Sequence, residues 1–159
     1  AGVSEPILYR HFASKRELYF ACVDVAWSRL RVAIEEKIEE LGPERAVFAV
    51  GAVATGLRQK RTLVPNLWIQ AITEAGEDPE IRRYLRGHLR EVHDFVADVV
   101  RRTQAAGGMP ADRDPEAEAW VFVGGALLIA VADRLGGMLG HEDFAAIAAA
   151  RHRWLTGEV

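Results

Sequence analysis

Val3-Ser4-Glu5-Pro6-Ile7-Leu8-Tyr9-Arg10-His11-Phe12-Ala13-Ser14-Lys15-Arg16-Glu17-Leu18 contains two helix starts in quick succession. Ser4 is placed to cap a short helix. The first turn of that helix holds Glu5, which suits the positive helix end, and Pro6, which needs no donor there. Leu8 and Phe12, four residues apart, form its inward face. Ser14 caps a second helix, with Glu17 three residues on as the capping-box partner. Ala1-Gly2 reads as the end of a turn. A turn, a short helix and a long helix beside it are the layout of a helix-turn-helix unit from its turn onward.

Tyr9, Arg10, His11 and Lys15 put an aromatic hydroxyl and three potential cations between and just after the caps. Donors of this kind on one side of a helix suit duplex phosphates, which fix a protein's register on DNA. A solvated, capped helix with ordinary surface charge is the competing reading of the same residues.

The remainder of the chain has the composition of a globular body. Its 159 residues are half hydrophobic and 27% charged, which excludes a disordered chain and suffices for one ordinary core. The net charge of -3 excludes a protein that is basic throughout. Its distribution is uneven: residues 1–17 carry a net +1 and the rest a net -4, which suits contact with DNA at one end only. Cys22 is the only cysteine, so no intrachain disulfide forms and a reducing cytoplasm is the expected location. Its helical position suggests a small buried hydrophobe. The apolar run Ala119 to Ala132 is shorter than the roughly 20 residues a bilayer requires, so a buried helix and no membrane are expected.

Helix-breaking punctuation divides the sequence, with no useful strand-like alternation between the breaks. The expected fold is all-α. The helix capped by Ser14 runs to about Leu41 and stops at Gly42-Pro43. Its apolar residues change face: Leu18, Cys22 and Val25 make one stripe, and Phe20, Val23, Trp27, Leu30, Ile34, Ile38 and Leu41 another. Such a helix connects two units, and the domains divide as 1–17 and 18–159. Further helices are expected from Pro43 to about Lys60, Asn66 to about Ala75, Pro79 to about Ala106, Asp114 to about Leu135, and His141 or Asp143 to about Leu155. In the long fourth helix Ile81, Leu85, His88, Val92, Phe95, Val99 and Arg102 form a sustained seam.

Ser4, Leu8-Tyr9, His11-Phe12, Ser14-Lys15 and Leu18 together resemble the recognition helix and following helix start of TetR-family transcriptional repressors. The resemblance implies that Glu5, Pro6 and Arg10 approach base edges, with Ser4 capping their helix. It implies that Tyr9, His11 and Lys15 hold phosphates. It also implies a further two helices of the DNA-binding unit ahead of Ala1, and a helical ligand-binding and dimerisation domain of the TetR type behind this partial helix-turn-helix.

Trp120 to Val131 is apolar all the way round and needs burial on every side. With the small-residue face of the last helix it predicts a four-helix interface between two copies, through Phe122, Gly125, Ala126, Ile129, Phe144, Ile147, Ala148 and Arg151. A central helix wholly inside a monomer is the alternative. Two readers on one dimer would meet the half-sites of a palindromic operator.

Repressors of this kind resemble ligand sensors, in which a small molecule shifts the connector. Candidate walls of an effector pocket are Trp27, Trp68, Ile72, His88, Phe95 and Trp120, a set suited to a small hydrophobic or aromatic molecule. Gln70, Thr73 and Glu74 are candidate polar contacts. Catalysis has little support: His88-x-x-Glu91 and His93-Asp94 are compatible with a solvated helix face, and no second Glu-x-x-His occurs. No phosphate loop, metal-type cluster or nucleophile elbow is present, so neither cofactor nor metal is expected. A dimeric helical ligand-binding or interaction module that does not itself bind DNA is the alternative function.

Overall fold

The computed structural model of the chain describes residues 12–59 and 64–157. The described residues form six α-helices and one 3-10 turn, with no strand among them: α1 Lys15–Leu41, the turn Pro43–Arg45, α2 Ala46–Gln59, α3 Val64–Glu74, α4 Pro79–Ala105, α5 Pro115–Arg134 and α6 His141–Thr156. The all-α expectation holds. Of the expected DNA contacts, Ser4, Glu5, Pro6, Tyr9, Arg10 and His11 lie outside the described residues, while Lys15 is exposed at the first position of α1.

The helix ends follow from side-chain chemistry. Ser14 is extended, and its hydroxyl accepts from the Glu17 N–H at 3.1 Å. The Glu17 carboxylate in turn accepts from the Ala13 N–H, one residue ahead of the cap, so two orphan donors are satisfied. Asp78 and Asp114 cap α4 and α5 in the same manner, each followed by a proline. At the α2 start the Val47 N–H donates to the Thr103 hydroxyl of α4 at 3.0 Å, a cap supplied from another helix. Gly108 marks the closest backbone approach: an added Cβ would lie 1.7 Å from the Glu44 carbonyl oxygen.

α4 is the hub, packing on α2, α3 and α5. Its seam residues Ile81, Leu85, His88, Val92 and Val99 are buried as expected. A second buried stripe, His93, Ala97, Val100 and Thr103, was not expected. It exists because α5 covers its first part, while Val47 of α2 and Leu155 of α6 cover its end. His88 and His93 are therefore both buried, at 5% and 0% exposure, and only Glu91 and Asp94 fit the expected solvated face.

The boundary expected after residue 17 falls within the first turn of α1, which continues through it unbroken. The body-facing stripe of α1 holds, with Val23, Trp27, Ile34 and Ile38 buried. Among the described residues nothing covers the other stripe: Cys22 is exposed rather than a buried hydrophobe, and Val25 is half exposed.

Candidate functional site

α1 is joined to α4 by polar contacts along most of its length. Arg16 pairs with Asp78 at 2.8 Å and Glu80 at 2.5 Å, holding the Asp78 carboxyl below its usual range. The Tyr84 hydroxyl donates to Asp24 at 2.6 Å, and its ring stacks on Phe20 at 3.9 Å. Glu91 accepts from the Trp27 indole at 2.9 Å and pairs with Arg31. Arg102 forms a two-pronged pair with Glu35 at 2.9 and 3.0 Å. A change in α4 therefore reaches the connector at four levels. None of these partners was identifiable from sequence spacing, because each pair is about 60 residues or more apart.

Midway along these contacts lies an aromatic cage. Trp27 meets His88 edge-on at 6.1 Å and Phe95 at 5.5 Å, and Trp68 meets His88 at 5.7 Å. Four of the six expected pocket residues are thus gathered from three helices. Burial pushes the His88 imidazole below its ordinary value, outweighing the opposite pull of Glu91 and Asp24. Burial also pushes the Tyr84 hydroxyl up, reinforced by the Asp24 hydrogen bond. Ile72 and Trp120 do not join the cage. Both are 43% exposed, and Trp120 lies on α5 with its ring 4.3 Å from His93. Gln70, Thr73 and Glu74 are exposed as well.

The expected interface residues divide into two groups. Gly125, Ile147 and Ala148 are exposed, whereas Phe122 and Ala126 pack against the chain's own core and Ile129 and Phe144 are half-buried. Arg151 is engaged internally: it pairs with the buried Glu118 at 2.6 Å and sits over the Phe122 ring. The second Glu118 oxygen accepts from the Trp154 indole at 2.6 Å, so one carboxylate fastens α6 to α5. The apolar stripe that α5 leaves uncovered is Val121, Gly124, Leu128, Val131 and Leu135, at alternating steps of three and four. At 20 residues α5 is long and apolar enough to cross a membrane by length and composition only, a test that the core helix of a soluble protein also passes.

His93, Asp94 and Glu116 bring one ligand atom each within 4.8 Å of one another, a grouping the sequence analysis did not find. The signal was present in the i,i+1 pair His93-Asp94, but Glu116 comes from another helix. Both ring nitrogens already have partners, Nδ1 with Asp94 at 2.8 Å and Nε2 with the Glu116 carbonyl at 3.1 Å. Glu116 also pairs with Arg101. The geometry therefore fastens α5 to α4 and leaves no imidazole nitrogen free for a metal.

Residues 43–126 match the family described as BetI-type transcriptional repressor, C-terminal. The chain belongs to the TetR family. Residues 1–22 match a second description, bacterial regulatory proteins, tetR family, over the stretch that carries the paired caps. No curated protein and no solved structure matched the chain. TetR-family members are transcriptional regulators, generally DNA-binding and non-enzymatic. The longer match includes Trp68, His88 and Phe95, whereas Trp27 lies between the two matched regions.

Proposed function

We propose that the protein is a ligand-responsive repressor. It binds a palindromic operator as a homodimer in the cytoplasm and is released by a small hydrophobic or aromatic effector. The observation that carries this reading is the Trp27–His88–Trp68 cage, which joins the connector helix to α3 and α4 at one point. A ligand seated there contacts the connector directly, so differential affinity for two connector positions becomes differential affinity for DNA. Glu5, Pro6 and Arg10 are assigned to the base edges, with Ser4 as the cap of their helix, and Tyr9, His11 and Lys15 to phosphates.

The dimer reading is supported by the uncovered α5 stripe and by α6, whose residues Ala145 to Ala150 are exposed. A gel shift with the full-length protein on the DNA upstream of its own gene tests the proposal. A sequence-specific complex of one dimer per site is expected. A dimer without sequence preference would favour the alternative, a helical ligand-binding module.

A further inference from the structure

The polar groups around the cage differ in one respect. The Trp27 indole is satisfied by Glu91, and the Tyr84 hydroxyl donates to Asp24 and lies 3.1 Å from the Phe20 carbonyl. Trp68 Nε1 and His88 Nδ1 are buried and have no hydrogen-bond partner among the described residues. Both side chains are 5% exposed, and their rings are in edge contact. A buried polar atom without a partner forfeits its hydration, so native proteins seldom leave two together unless something else supplies the bond.

We infer that these two nitrogens are the polar anchor of the effector site, and that the effector is an aromatic molecule carrying a carbonyl oxygen and no negative charge. This rests on the cage being the effector site. An indole N–H is a donor only, so Trp68 calls for an acceptor on the ligand. A neutral His88 with its proton on Nδ1 adds a second donor to the same oxygen. Asp24 and Glu91 lie close enough to act on His88 electrostatically, so an anionic ligand would enter against two negative charges. The surrounding Trp27, Phe95, Val92 and Val123 present apolar surface to the remainder of the ligand.

The test titrates full-length protein with 2-acetylnaphthalene, naphthalene and 2-naphthoate. It follows the ¹⁵N-labelled indole resonance of Trp68, assigned by its loss in Trp68→Phe. A site built to hydrogen-bond a group rejects the analogue lacking it. The expected result is that 2-acetylnaphthalene binds at least tenfold tighter than naphthalene and moves the Trp68 N–H resonance downfield. His88→Phe and Trp68→Phe should each shrink that preference while still binding naphthalene, which shows that the variants remain folded. Equal binding of the two neutral probes with an unmoved Trp68 resonance would overturn the anchor while leaving the apolar cage standing. Tightest binding of 2-naphthoate would overturn the assignment of no negative charge. Failure of every probe to bind would overturn both the anchor and the cage.

Discussion

Thr103 shows how much of the fold depends on single atoms near the C-terminal end of α4. The Thr103 hydroxyl donates to the Val99 carbonyl at 2.9 Å and accepts from the Val47 N–H, with no exposure to solvent. Thr103→Val keeps the shape and strands that N–H, and should cost about 2 kcal/mol in urea denaturation. His88 makes stability depend on pH. Its folded-state pKa lies below the ordinary value of about 6.5, so the unfolded chain binds the proton more readily. Its contribution is fully present above about pH 6.5 and is lost as pH falls toward the folded-state value. Melting curves from pH 5 to 8 should show this slope in the wild type and a flatter one in His88→Phe. At this scale the sequence was legible where chemistry is local. Ser14, Glu17 and Asp114 announce their caps through neighbours within three residues. The Thr103 cap, the Glu118 fastening and the burial of His93 depend on partners from other helices, which spacing does not reveal.

Helix boundaries were legible to within two residues, because Gly42, Gly76, Gly107 and the prolines at 79 and 115 interrupt the helical pattern; the exception is the α2 start, expected at Pro43, where Pro43–Arg45 forms a 3-10 turn ahead of Ala46. The faces were less so. α5 was read as apolar all round, but its own fold buries only Glu118, Ala119, Val123, Ala130 and Ala132. Of the residues expected at an interface, Phe122 packs on the chain's own core and Arg151 pairs with Glu118, whereas Val121, Leu128 and Val131 stay exposed and are the contact proposed for a dimer. Substitutions at Gly124 and Leu128 test that stripe. A side chain at Gly124 would meet nothing within 4 Å inside the protomer, so Gly124→Ala should stabilise an isolated protomer by up to about 1 kcal/mol. Gly124→Leu and Leu128→Glu should each convert the proposed dimer to monomer in light scattering while leaving the helical content unchanged. A dimer that survives both would place the interface elsewhere.

On the scale of the whole molecule, the account is of a helical body that pairs through α5 and α6 and reports the state of its cage along α1. Lys15 is exposed beside the Ser14 cap, as its proposed phosphate contact requires. In full-length protein, Lys15→Ala should weaken binding to all duplexes alike and reduce the salt slope by about one, while Arg10→Ala should change which sequence is preferred. The sequence disclosed this end of the molecule through a dense local motif. It disclosed the cage only as a set of mostly aromatic candidates, of which Ile72 and Trp120 are left largely exposed by the fold.

The most direct test is an anisotropy titration of the full-length protein on its own upstream DNA, with and without an aromatic compound that raises its melting temperature. The account predicts specific binding of one dimer per palindromic site, weakened at least tenfold by the compound. Equal affinity for unrelated duplexes, or an operator affinity unmoved by a compound that occupies the cage, would contradict it.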